Sequence, residues 1–397
     1  MQEIEAMQEM AGVAGLGSPI RSRRAVPAHA VLAAAIRSTA LLCILITGAR
    51  GATEAEACAE DLEAIPGFLQ ANDAGAKDEL ARWGGQHFDD ALASARREVA
   101  RVQDGEECRL ALNAYLKAWR KGHLLVVNAG PRRTAVDVDA SRSPTIRALS
   151  KTTVLLTVPS FAGQYRQPLI TLIARHHEQL RAHTRWIIDV RGNDGGADDT
   201  YYPLLSWLMP DELQDIGAQW LATPANIEGE RQRCPLYAPG DKNCENDSAE
   251  ALRRMQSVAI GSYVQQEDGP VIRHARVAHV EPSRPARVAV LMDSRCASSC
   301  EEFLMTVRQS FAVKLIGRPS RGSLDYSNLR PHDLPSGERV LRYAISRSER
   351  LPDLPVDPSG VEPDIYMPEP SDAGARHNEE LQVRHWLESG SFAPHAR

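Results

Sequence analysis

The sequence predicts an α/β fold preceded by a helical N-terminal subdomain, on three observations. Short apolar runs alternate with helix-period segments from Thr153 to Val190, the pattern of a strand–helix–strand unit in a mainly parallel sheet. The same alternation returns between Val288 and Gly317. Ahead of both, Cys108, Leu112, Tyr115, Leu116 and Trp119 recur at helical spacing.

The elements follow in order. Arg21, Arg23, Arg24 and Arg37 precede the apolar stretch Ala40–Ile46, too short to span a bilayer but suited to a signal-peptide core. Small-residue cleavage patterns follow at 49–51 and 55–57. Residues 1–57 are therefore expected to be a signal and leader, with export to the periplasm or beyond and no stable membrane insertion after cleavage. Residues 58–122 read as helices, punctuated by Pro66-Gly67 and Trp83-Gly84-Gly85 and closed by Arg120-Lys121-Gly122. His123 then stands at a helix-to-strand corner before Leu124–Val127.

The main α/β domain is expected over 123–370. Thr153–Val158 is a strand bounded by Pro159, and Pro168 opens a helix with Leu169, Leu172, Ile173 and Leu180 on one face. Trp186–Val190 is a second buried strand running into Arg191-Gly192-Asn193-Asp194-Gly195-Gly196. A glycine-rich loop at the C-terminal end of a strand is where α/β sheets place ligands. It has neither nucleotide-binding spacing, but its N–H groups suit an oxyanion. Residues of about 209–285, rich in proline, read as a loop-rich insertion with one or two helices. Residues 371–397 read as a tail.

The segment Cys296–Phe303, CASSCEEF, carries the most chemistry. It joins the apolar run Val288–Met292 to a helix marked by Phe303, Leu304, Val307 and Phe311. A serine at such a junction is held at a sharp turn, with free N–H groups of the helix start beside it. Ser298 and Ser299 can equally be ordinary N-caps, the commonest job of serine there. Glu301 reads as a first-turn carboxylate suited to the helix dipole. Asp189 and Arg191 read as braces for the strand end, and His176 and His177 as exposed.

Composition narrows the class. The formal net charge of −6 offers no basic footprint for nucleic acid. Without Cys43, six of the seven cysteines remain, an even number that suits an oxidising compartment. Proximity favours Cys234 with Cys244, leaving Cys58 for Cys108. Cys296 and Cys300 then bracket Ser298, as a small disulfide ring or as two buried thiols. No CxxC pair or matching histidine spacing supports zinc, and neither metal nor organic cofactor is implied.

Four segments in order, WIIDVRGNDGG, VAVLMDSRCASSCEEF, KLIGRPSRG and GVEPDI, together with VLLTVPSF and YLKAWRKGHLLVV before them, resemble the tail-specific and tricorn-core serine peptidases. The resemblance covers roughly residues 105–370. It implies a crotonase-like or ClpP-like core of stacked ββα units and a peptide or protein substrate. In the processing-protease branch a lysine serves as general base, but that position holds Ser323. Arg321 cannot replace it, because a guanidinium does not deprotonate. The tricorn-like branch uses a histidine from the helix-to-strand corner and an acidic residue before GV.PD. Carried over, these are His123 as base and Asp357 as its orienting carboxylate, with Ser298 as nucleophile. Ser299 N–H and a glycine N–H from Gly195 or Gly196 would form the oxyanion hole. With an unperturbed imidazole, activity should rise through pH 6.5. Two other readings are an inactive relative that binds peptide or envelope polymer, and a hydrolase of non-peptide esters or amides.

Overall fold

In the computed structural model, residues 53–130, 139–277 and 279–392 are described, so residues 1–52 of the expected signal and leader lie outside the described residues, while 53–57 cap and open the first helix. Residues from Gly51 onward form one compact unit. Its fold is α/β, with helices first and sheets after.

Four helices, Glu54–Asn72, Ala76–Trp83, Gly85–Val99 and Gly105–Trp119, make the N-terminal part. The first runs straight through Pro66, where the sequence suggested a break. Proline removes one intrahelical hydrogen bond, but the flanking turns bury Cys58, Leu62, Ile65 and Leu69 completely. That burial and the Cys58–Cys108 disulfide outweigh the local preference. The bridge has a sequence separation of 50, and closing such a loop is worth about 4 kcal/mol in the chain-entropy model.

The central sheet has six strands, in the order Ile365–Tyr366, Val313–Gly317, Arg287–Met292, Arg185–Asp189, Thr153–Thr157, Thr145–Ala148. All neighbours are parallel except the last pair, an antiparallel edge. The inner strands are apolar on both faces because both are covered. Trp186, Ile188, Val288 and Val290 pack on one side with Phe303, Leu304 and Trp207. Ile187, Ala289 and Leu291 pack on the other with Val383 and Leu387.

Val383 and Leu387 belong to a helix, Ala373–Ser389, in the segment read as a tail. Its polar composition conceals this role, because only three of its residues, Glu379, Val383 and Leu387, are buried. Glu379 bridges two arginines, Arg191 and Arg318, which follow the strands on either side of Arg287–Met292.

A second sheet is antiparallel. Arg339–Ser348 pairs with Leu125–Asn128, Tyr326–Asp333 and Ala218–Leu221, and the last of these pairs with Tyr263–Gln265. The region read as a loop-rich insertion thus contributes strands as well as the helices Pro224–Tyr237 and Lys242–Gln256. A separate ribbon pairs Glu212–Ile216 with Ile272–Arg276. The second sheet matters for the site because its Leu125–Asn128 strand begins just beyond His123.

Candidate active site

Ser298 lies where the Arg287–Met292 strand has turned into the Ser299–Val307 helix, at φ 57° and ψ −126°. A non-glycine residue held there costs on the order of 1–3 kcal/mol and persists only where its surroundings over-determine it. Here they do. Ser298 N–H donates to Glu301 Oε2 at 3.0 Å. Cys296 and Cys300 form a disulfide across the turn, the ring form of the two possibilities.

Glu301 does more than complement a helix dipole. It is completely buried, and besides Ser298 N–H it accepts the Ser320 hydroxyl at 2.6 Å, Gly322 N–H at 2.7 Å and Ser323 N–H at 2.9 Å. One carboxylate therefore ties the serine turn to the loop that holds Ser323. The spacing Ser298-x-x-Glu301 is a capping-box pattern and was the available signal.

The glycine-rich loop presses on the same turn. A Cβ at Gly195 would meet Ala297 O at 2.5 Å, Ser298 Cβ at 2.9 Å and Ser299 N at 3.1 Å. Only glycine permits that approach, and its φ of +92° requires glycine as well. Of the two glycines expected to offer an oxyanion donor, Gly195 already has its N–H engaged, donating to Asn193 Oδ1 at 2.9 Å. The loop is braced from below as the sequence suggested. Arg191 is buried, pairs with Asp189 and Glu379, and so links the loop to the C-terminal helix. His176 and His177, read as exposed, are half-buried, and His177 packs edge-on against Trp207.

The histidine corner is built differently. The Gly105–Trp119 helix ends at Arg120, whose guanidinium reaches Asp73 at 2.6 Å and the His123 carbonyl at 3.0 Å. Gly122 follows at φ +91°, with Ser323 packed against it. His123 Nδ1 lies 2.7 Å from the Tyr326 carbonyl. A carbonyl can only accept, so Nδ1 carries the proton and Nε2 is the free basic nitrogen. The orienting bond expected from Asp357 is thus made by Tyr326. A main-chain oxygen leaves no mark in a sequence, so no residue pattern could have announced it.

Asp357 stands one step back. Its Oδ1 accepts Leu324 N–H at 2.6 Å and Asp325 N–H at 3.2 Å. Asp325 returns the contact, with Oδ2 accepting Val356 N–H and Asp357 N–H at 2.7 and 2.8 Å. These bonds fix the segment that ends at the Tyr326 carbonyl. The other Asp357 oxygen, Oδ2, is buried without a hydrogen-bond partner and lies 3.4 Å from where a Cβ on Gly122 would be.

The electrostatics follow from burial. Burial pushes the His123 imidazole down to about 4, and the positive charges of Arg120 and Arg321 work the same way against the Tyr326 bond. The acid limb expected near pH 6.5 therefore moves lower. Burial raises the Asp357 carboxyl to about 6, helped by the Asp325 charge and opposed by the Leu324 and Asp325 N–H bonds. Glu302, a neighbour on the same helix, is raised by burial to about 7 despite Arg350. Among the described residues no cluster of three or more metal-ligating side chains occurs, and no helix is long and apolar enough to cross a membrane.

An α/β core with a strained serine between a strand and a helix N-terminus, packed on a glycine loop, defines a hydrolase-like architecture. The model of peptidase family S41 matches residues 152–367, more than half of the chain, and the chain belongs to that family. No functionally curated protein matches the sequence. Among solved structures, the fold is similar to that of a protein assigned as a peptidase from Parabacteroides merdae ATCC 43184. The TM-score is 0.51 at 13% identity, covering 85% of this chain and 99% of that one. Mature CPAF is similar with a TM-score of 0.55 at 12% identity, covering 85% of this chain and 99% of that one. At such identities the likeness concerns the fold.

Proposed function

We propose that this chain is an exported serine peptidase that cleaves peptide bonds through an acyl-enzyme. Ser298 Oγ attacks the carbonyl carbon. His123 Nε2 takes the hydroxyl proton and returns it to the leaving amine. Ser299 N–H and Gly196 N–H receive the oxyanion, a contribution of about 2–4 kcal/mol per donor. Asp357 acts through the Leu324–Tyr326 backbone, holding the carbonyl that keeps the imidazole in its working tautomer. The three disulfides suit an oxidising compartment.

The observation that carries this reading is the contact between Gly195 and the Ser298–Ser299 turn. It sets a positive-φ serine and a helix-start N–H beside the glycine loop, as acyl transfer needs. Labelling the mature protein with a fluorophosphonate probe tests it. Wild type should label, and Ser298→Ala and His123→Ala should not.

One observation favours a second reading. An imidazole held to a carbonyl and depressed to about 4 is a weak base, and Ser323 fills the position where relatives carry lysine. A chain that takes no probe but binds peptides at this cleft would be the inactive relative.

A further inference from the structure

We propose that the Cys296–Cys300 disulfide is a positioning element for the nucleophile, and that the chain becomes an efficient acyl-transfer catalyst only once this bond has formed. The inference rests on Ser298 being the nucleophile.

The bond links residues only 4 apart, and Ser298 is the central residue of the ring it closes. Both half-cystines are completely buried, in the same apolar cluster as Met292, Phe303 and Leu304. Each is also held through its backbone. Cys296 N–H donates to Asp293 O at 3.0 Å, its carbonyl accepts Arg321 N–H at 2.8 Å, and Cys300 N–H donates to Ala297 O at 3.0 Å. The ring is therefore fixed at both ends, and Ser298 between them keeps φ 57°. The Ala297–Ser298 peptide is held at its N–H by Glu301 and at its oxygen by Cys300 N–H, and the disulfide ties Cys300 covalently to Cys296. The disulfide restrains the residues on both sides.

A purely stabilising role accounts poorly for this bond. The entropy removed from the unfolded chain grows with loop length. Sequence separations of 50, 10 and 4 make this the least stabilising of the three bridges. What it does constrain is the turn that carries the hydroxyl.

The bond also sets a condition on activity. Forming it takes two electrons and two protons from the Cys296 and Cys300 thiols and passes them to a disulfide donor, whose S–S bond becomes two thiols. The sulfurs are inaccessible in the folded chain, so exchange must occur while the turn is open. Once folded, the bond is shielded from reductant. A chain folded in a reducing compartment would keep two thiols and a loosely held serine. After oxidation it would have a fixed one.

The test compares fluorophosphonate labelling of full-length wild type, the Cys296→Ala/Cys300→Ala double variant and a Cys234→Ala/Cys244→Ala control. The first pair should lower the maximal labelling rate on the order of a hundredfold, the scale of misplacing a reacting group by about an ångström. The probe concentration at half-maximal rate should hold, and the control should label like wild type. Equal labelling of the double variant overturns the inference. If that variant does not fold, wild type refolded with and without dithiothreitol replaces it, with free Cys296 and Cys300 thiols counted by alkylation and peptide mass spectrometry. Labelling at the oxidised rate with both thiols free also overturns it. A wild type that takes no label removes the nucleophile reading itself, and this inference with it. A labelled wild type matched by the double variant removes this inference alone.

Discussion

The serine turn and the histidine corner meet at one loop, Ser320–Tyr326, yet they are built to different standards. The serine turn is over-determined: a disulfide, a buried carboxylate with four donors and a glycine that admits no Cβ all act on one residue. The histidine is half-buried and held through one ring nitrogen by one carbonyl. Below it, an Asp357 oxygen is buried without a partner. On the proposed reading, the contrast teaches that the nucleophile is fixed by several independent contacts, while the base is oriented by one. Hydrogen bonds at a resting site commonly tighten only in the reacting complex.

The largest effects should come from loosening the rigid side. Gly195→Ala places a methyl 2.5 Å from Ala297 O and 2.9 Å from Ser298 Cβ, so either the glycine loop or the serine turn must move. Probe labelling should fall by about 10²-fold or more. Labelling within a few-fold of wild type would show that this contact does not set the site. Glu301→Ala comes next. It strands three N–H donors, two of them buried, and a buried hydroxyl, each buried group worth about 1–3 kcal/mol when left unpaired, and relaxation will recover part of that. A loss of about 3 kcal/mol or more in urea unfolding is expected, together with labelling. Unchanged stability would mean that water replaces the carboxylate.

The two sides also differ in how far they could be read from sequence. The serine turn is local: strand, CASSC, glutamate and helix lie within one stretch, and apolar periodicity with turn residues shows each part. The parallel strands and the Cys234–Cys244 pair are legible for the same reason, whereas Cys58–Cys108, with a sequence separation of 50, follows only by elimination. The histidine corner is not local. His123 could be placed through its corner, but its partner is the main-chain oxygen of Tyr326, and Asp357 acts through backbone amides of residues 324 and 325. Pro66 within a helix and the buried stripe of Ala373–Ser389 were hidden because distant contacts decide them. Local propensity is only a weak prior there.

The histidine side should show itself in pH dependence. Asp357 accepts its two N–H bonds best when ionised, and its carboxyl is raised to about 6. Labelling should therefore fall as pH drops through about 6, and again through about 4 as His123 takes a proton. Asp357→Asn should remove the upper step, keep the lower one and reduce the plateau by roughly tenfold, as expected for loss of a charged hydrogen-bond acceptor. The stability signs oppose each other. His123 binds its proton more weakly folded than unfolded, so it lowers stability as pH falls from 6.5 towards 4. Asp357 binds its proton more tightly folded, so it raises stability as pH falls from 6 towards 3.8. A profile with a single step near 6.5 would contradict both assignments.

The smallest effect isolates one charge. Arg321 sits on the loop shared by both halves, with an exposed side chain, and its charge helps to hold His123 in the neutral form. Arg321→Gln removes that charge and leaves the Arg321 N–H bond to Cys296 O available. The lower limb should move up by about a few tenths of a pH unit, because an exposed charge acts through water and salt. The plateau should stay. Raising the salt concentration on wild type should move its limb the same way, and the variant should respond less. If salt shifts both proteins equally, the depression of His123 comes from burial and Arg120, and the histidine corner is electrostatically closed to that loop.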